Sequence, residues 1–213
     1  MPRIYFVRHG ENRANVERRM SWRAIDYPLT ELGARQAAAA AEWFRGRPVE
    51  AVYASPLRRA RETADHLARV AGAEVVEEEA LRELAVGELD GLGDADSWAV
   101  HDGIVARWRQ GEWEARFPGG ESYREAHDRL AELVQALIER HPRGDVVAVG
   151  HGGLFSTVLP RLCPVPGHDG TSALRLGNTA ITVVRHEGGG LICDSWGGVE
   201  HLTAELVPTY PTL

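Results

Sequence analysis

Apolar residues in this chain fall in short unbroken runs, and helical periodicity fills the stretches between them. Residues 4–7 and 146–149 are continuous apolar runs, the pattern of strands buried on both faces, and residues 49–54 form a third apolar strand. Residues 75–76 add a short one. Residues 31–45 are alanine-rich, follow Thr30 as N-cap and stop at Gly46, which predicts a helix. Ser55-Pro56 supplies an N-cap and a first-position proline for a second helix, running to Ala71 and stopping at Gly72. Over 122–140, Ala126, Leu130, Leu133 and Leu137 recur at helical spacing, and His141-Pro142-Arg143-Gly144 ends that helix. Gly152-Gly153 leads into a helix over 154–162. Residues 181–184 and 191–193 flank Gly188-Gly189-Gly190 and read as a hairpin.

Strands alternating with helices predict an α/β fold: three layers, α/β/α, around a mainly parallel sheet. Residues 85–120 break that rhythm. They carry Gly87, Gly91, Gly93, Gly103 and Gly111 together with Trp98, Trp108 and Trp113, and read as a small cap insertion near the site. The expectation is one domain over 1–213.

Composition narrows the function. No run of about 18 apolar residues occurs, so no membrane-crossing helix is expected. Arg8 and Glu11 interrupt the first apolar stretch, which argues against a secretory leader and for a cytoplasmic location. A net charge of −7 argues against nucleic acid or a membrane surface as partner, and leaves a small anion bound by local positive charge. A homodimer stays open. Cys163 and Cys193 stand far apart in sequence and read as buried thiols of a reducing compartment. All 24 basic residues are arginine. The absence of lysine excludes a P-loop lysine, a Schiff base and the kinase strand lysine. A phosphate cradle here must use arginine, histidine and backbone amides.

Three segments repeat one order: apolar strand, basic or histidine residue, turn or helix. They are Val7-Arg8-His9-Gly10, Tyr53-Ala54-Ser55-Pro56-Leu57-Arg58-Arg59 and Val149-Gly150-His151-Gly152-Gly153. In a parallel sheet these strand ends share one edge, where anions bind. Two histidines and at least two arginines gathered there suit a phosphoryl group, whose oxygens guanidinium matches in a bidentate way. The remaining histidines form no metal-binding pair, and no metal or other cofactor is expected. His151-Gly152-Gly153 also looks like the oxyanion loop of a serine hydrolase. The nearest candidate elbow, Gly170-Thr171-Ser172, lacks the second glycine that such an elbow needs.

From Arg8 to Asn178 the sequence resembles the histidine phosphatase superfamily, also called phosphoglycerate-mutase-like. Arg8-His9-Gly10-Glu11 with Asn15 is similar to that family's first signature, and Pro28-Leu29-Thr30 with Gly33 and Gln36 to the stretch after it. Ser55-Pro56-Leu57-Arg58-Arg59-Ala60 resembles the second block, Leu81-Arg82-Glu83 the block carrying the acid. Pro118-Gly119-Gly120-Glu121-Ser122 and His151-Gly152-Gly153 complete the set. The resemblance implies that His9 attacks phosphorus, its other ring nitrogen donating to a carbonyl near Gly10. It implies that Arg8, Arg59 and His151 hold the phosphoryl oxygens, and that Glu83 is the acid, with Glu11 and Glu121 as competitors for that role. Asn15 and Gly152 join the phosphate site; Arg58 faces solvent or pairs locally. The implied activity is a phosphomonoesterase acting through phosphohistidine on small phosphorylated metabolites. Two alternatives stay open: a cofactor-dependent phosphoglycerate mutase and a non-catalytic phospho-ligand binder. Trp108-Arg109-Gln110 and Gly152-Gly153 depart from the mutase pattern and favour the phosphatase.

Overall fold

In the computed structural model, which describes residues 2–168 and 174–208, the apolar runs become strands and the periodic stretches helices. Along the chain these are β1 (Arg3–Arg8), α1 (Arg13–Val16), α2 (Glu31–Trp43), β2 (Val49–Ala54), α3 (Arg58–Ala71), β3 (Val75–Glu77), α4 (Ala95–Arg109), α5 (Tyr123–Arg140), β4 (Asp145–Gly150), α6 (Gly152–Leu162), β5 (Ile181–Glu187) and β6 (Gly190–Gly198). The strands form one sheet in the order β3-β2-β4-β1-β5-β6. The first four are parallel; β5 and β6 run antiparallel at one edge.

Strand alternation divides the core into two faces. Tyr5, Val7, Val52, Ala54, Val147 and Val149 pack against Ala40 of α2, Phe44 at its C-terminal end, and Ala60 and Leu67 of α3. Ile4, Phe6, Tyr53, Val146 and Ala148 pack against α5 and α6 through Leu130, Leu137, Leu154 and Phe155. The three predicted layers are present. Register sets the site: Arg8 pairs with Gly150 and Ala54 with Val149. The C-terminal ends of β1, β4 and β2 are therefore level, and the next residues, His9, His151 and Ser55, emerge along one edge.

Several local expectations change. Thr30 caps α2 as predicted, its Oγ1 accepting the Gly33 N–H at 3.0 Å. Ser55 does not cap α3, which begins at Arg58 after Leu57 with no side-chain cap. The Ser55 hydroxyl meets His151 instead. The hairpin strands are longer than the apolar runs because their outer residues pair across the turn although polar. Residues 85–120 are more regular than their glycines suggest. They contain α4, capped by Asp94, whose side chain accepts the Ser97 N–H. Val86, Leu89, Val105, Trp108 and Phe117 join the same core as the sheet. Cys163 and Cys193 are both buried and free, and the chain brings their side chains together despite their separation in sequence. Gly170-Thr171-Ser172 lies outside the described residues. No helix among the described residues is long and apolar enough to cross a membrane.

Candidate active site

A cleft of about 1100 Å³ opens over the level strand ends, lined at its floor by Arg8, His9, Asn15, Arg59, Glu83 and Gly152. His9 follows β1 directly and is 3% exposed. Its Nδ1 donates to the Gly10 carbonyl at 2.6 Å, leaving Nε2 as the deprotonated nitrogen. Arg59 donates its Nε–H to that Nε2 at 3.2 Å. Burial first, then the Arg59 and Arg8 charges, hold His9 well below the ordinary histidine range, against the raising influence of the Gly10 carbonyl. The ring is neutral at physiological pH.

Arg59 enters from the first turn of α3, 2% exposed. Its Nη1 and Nη2 donate to the Ser21 hydroxyl at 3.2 Å and the Ser21 carbonyl at 2.7 Å. Burial pushes it down to about 10, with Glu83 and Asp26 opposing, so it remains cationic at pH 7. Arg8 donates Nη1 to the Leu176 carbonyl. A Cβ on Gly152 would stand 3.0 Å from the Arg8 Nε. The glycine thus gives that side chain room across the start of α6.

His151 lies behind His9, fully buried, with ring centroids 5.1 Å apart. Its Nε2 is 2.8 Å from the Ser55 Oγ, and its Nδ1 has no partner among the described residues. Ser55 Oγ also accepts the Leu57 N–H at 3.3 Å. Its own hydrogen can then go to His151 Nε2, an arrangement in which the His151 proton sits on Nδ1. Burial first, then Arg59 and His9, keep this ring neutral too.

Glu83 reaches the N-terminus of α6. Its Oε2 accepts from Gly153 N at 3.0 Å, and its Oε1 from Leu154 N at 2.7 Å and Leu84 N at 2.9 Å. The positive end of the helix dipole favours a carboxylate there. Asn15 sits at the third position of α1, in a capping box with Asn12. Its Oδ1 accepts from Asn12 N at 3.2 Å and Asn178 Nδ2 at 3.1 Å, so its amide NH₂ is the group left for an anion.

The structure brings all the predicted site residues together, with His151 fully buried against the His9 ring. Glu11 and Glu121 are engaged elsewhere. Glu11 accepts the Thr30 hydroxyl at 2.6 Å, and Glu121 pairs with Arg129. Arg58 pairs with Glu62 on the surface, as expected. Ser21, Ser55 and Arg129 escaped the sequence reading. Only Ser55 left a signal, because it stands beside a strand end of the repeated order. Among the described residues no group of three or more His, Cys, Asp or Glu side chains could hold a metal ion.

Residues 4–198 match the histidine phosphatase superfamily (branch 1). A metal-independent phosphoserine phosphatase of Arabidopsis thaliana is 33% identical over 205 residues, 94% of this chain and 83% of that protein. A probable phosphoglycerate mutase of Cronobacter sakazakii is 30% identical over 214 residues, 96% of each chain. The solved structure of a mycobacterial glucosyl-3-phosphoglycerate phosphatase with VO3 is similar with a TM-score of 0.78 at 32% identity, covering 92% of this chain and 99% of that one. A match running from the first strand to the last, over a sheet edge that gathers the motif residues of that family, makes this chain a member of the histidine phosphatase superfamily and a phosphomonoesterase of small phosphorylated metabolites.

Proposed function

We propose that the protein hydrolyses its substrates in two steps through a phosphohistidine on His9. The observation carrying this reading is the Nδ1 contact to the Gly10 carbonyl at 2.6 Å. It fixes the tautomer whose Nε2 lone pair can attack phosphorus, and burial keeps that lone pair unprotonated.

In the first step an Nε2–P bond forms as the ester P–O bond breaks, and Glu83, which enters this step protonated, passes its proton to the leaving oxygen and is left as the carboxylate held at the start of α6. Arg8, Arg59 and the Nδ1–H of His151 take the equatorial oxygens, with the Asn15 amide and the Gly152 backbone beside them. They stabilise charge that spreads onto those oxygens during transfer. Arg59 must shift its Nε–H from His9 to the phosphoryl group, which frees the nucleophile only when substrate is present. In the second step Glu83 takes a proton from water, the water oxygen bonds to phosphorus, the Nε2–P bond breaks and orthophosphate leaves. No step calls for a metal. A Cβ at Gly153 would stand 2.7 Å from Glu83 Oε1, so a longer side chain there would displace the carboxylate from this position. The whole chain acts as one unit, residues 85–120 covering the site.

Rapid acid-free quenching with ³²P-labelled phosphoester tests this. Acid-labile, alkali-stable label on the wild type and none on His9→Ala is expected, with turnover down ~10³-fold or more. Retained turnover in His9→Ala would overturn the assignment.

A further inference from the structure

The cleft continues well past the phosphoryl residues. Its lining among the described residues carries Arg18, Arg19, Arg109, Arg161 and Arg175 in addition to Arg8 and Arg59, against only Glu83 and Asp102 as carboxylates. The chain as a whole carries −7, so the cleft reverses the sign of the protein around it. Most arginines on the protein surface are paired with a carboxylate. Arg161 is exposed and makes neither an ion pair nor a hydrogen bond among the described residues; its guanidinium lies 5.8 Å from the Trp113 ring centroid.

A second, independent feature lies beside it. Tyr123 lines the same cleft and is 3% exposed, yet its hydroxyl has no hydrogen-bond partner among the described residues. Its ring is held by Trp113 at 5.1 Å and Trp108 at 5.9 Å between centroids. Buried hydroxyls are rarely left unmet. Burial pushes this phenol up to about 12, and the charge of Arg161 opposes that rise, so the two groups share one electrostatic neighbourhood.

Position along α6 separates this pair from the phosphoryl site. Gly152 opens the helix and Arg161 is one residue from its end, about 14 Å apart along the axis at 1.5 Å per residue. Even with the Arg161 side chain leaning back toward the helix start, a group bound there belongs to the remote end of an extended molecule.

We propose that Tyr123 and Arg161 form a distal subsite for a second anionic group, so that the substrate is an extended phosphomonoester with an anion at the end remote from its phosphoryl group. This rests on the phosphatase reading above and narrows its substrate class. Tyr123 donates its hydroxyl to the anion, Arg161 supplies the charge, and the aromatic wall of Trp108 and Trp113 keeps both in place.

The experiment compares kcat/KM for three esters: 6-phosphogluconate (remote carboxylate), fructose 1,6-bisphosphate (remote phosphate) and glucose 6-phosphate (no second anion). Wild type should favour one or both of the first two. Arg161→Gln should shrink that preference ~10-fold or more, and Tyr123→Phe should shrink it several-fold, as expected for one charge-assisted hydrogen bond. The ester whose preference collapses identifies the anion as carboxylate or phosphate. Calorimetric binding of the same esters to His9→Ala, with and without Arg161→Gln, reads the subsite without turnover. No preference in the wild type, or equal loss on all three esters, would overturn the subsite. Failure to release phosphate from any ester, with selective binding intact, would overturn the hydrolysis reading alone.

Discussion

Arg129 closes two bonds on Glu121, Nη2 to Oε1 at 2.9 Å and Nε to Oε2 at 3.1 Å. Its remaining donors hold the loop that presents Glu83: Nη1 reaches the carbonyls of Ala80 at 2.6 Å and Arg82 at 3.0 Å, and Nη2 that of Glu83 at 3.4 Å. Glu121 completes the clamp by accepting Ala85 N at 2.8 Å. Arg129 is therefore a positioning residue for Glu83. Arg129→Met should lower kcat ~10- to 100-fold on alkyl phosphates, the scale of a misplacement near 1 Å. It should also cost about 3 kcal/mol of stability by leaving Glu121 unpaired. 4-Nitrophenyl phosphate, whose leaving group needs no proton, should suffer less. Arg129→Lys should restore stability in part but not the leaving-group dependence, because lysine lacks the planar fork. Equal slowing of both ester types in Arg129→Met would refute the positioning role.

Gly153 meets Glu83 from the other side. A Cβ at this position would lie 2.7 Å from Oε1 and 3.0 Å from Oε2, so Gly153→Ala must push the carboxylate off the helix N-terminus. The backbone itself does not require glycine, since Gly153 does not sit at positive φ. The fold should survive, with a melting temperature within a few degrees of wild type. Turnover of alkyl phosphates should fall ~10-fold or more. A Gly153→Ala enzyme with unchanged kcat on glycerol 3-phosphate would show that Glu83 does not need this seat.

The strand runs, the helix over 122–140 and the strand-end histidines were legible because burial on both faces and helical periodicity leave their mark in one dimension. The floor of the cleft followed from them, since a parallel sheet levels its strand ends. What was not legible depends on partners distant in sequence. Arg129 reads as one charge among many on the polar side of α5, and only the fold shows it beside Glu121 and the 80–85 loop. α4 was hidden because only Ser97, Val105 and Trp108 of its residues are buried, too few to impose a periodic pattern. Ser55 carried the right local grammar for an N-cap, and tertiary structure directs its hydroxyl to His151 instead.

That diverted hydroxyl makes a further prediction. Ser55 Oγ lies 2.8 Å from His151 Nε2 and is the ring's sole hydrogen-bond partner among the described residues, Nδ1 having none. Ser55→Ala should leave the tautomer of His151 unspecified and a buried ring nitrogen unmet, at a cost of about 1–3 kcal/mol of stability. Activity should fall severalfold through the fraction of rings carrying the proton on the wrong nitrogen. Nitrogen-15 chemical shifts of the imidazoles should move His151 from a single Nδ1–H form toward a mixture, a change that loss of packing alone would not produce. Unaltered His151 shifts in Ser55→Ala would remove Ser55 from the site.

The two neutral histidines also set a pH dependence of stability. Burial is the largest cause lowering both His9 and His151, and the arginine charges add to it. An unfolded histidine titrates near 6.5. Above that value neither state carries the extra protons, and stability is fully present. As pH falls below it, the unfolded chain takes up protons that the folded chain refuses, so stability is lost downward from about 6.5 toward the depressed folded values. Each histidine contributes a slope of up to ~1.4 kcal/mol per pH unit in that window. Urea midpoints measured between pH 8 and pH 5 should therefore decline below pH 6.5. His9→Gln should flatten the decline by about one proton's worth, because glutamine has nothing to titrate. An identical slope in wild type and His9→Gln would mean that His9 titrates normally in the fold, and would remove the basis for an unprotonated nucleophile at mildly acidic pH.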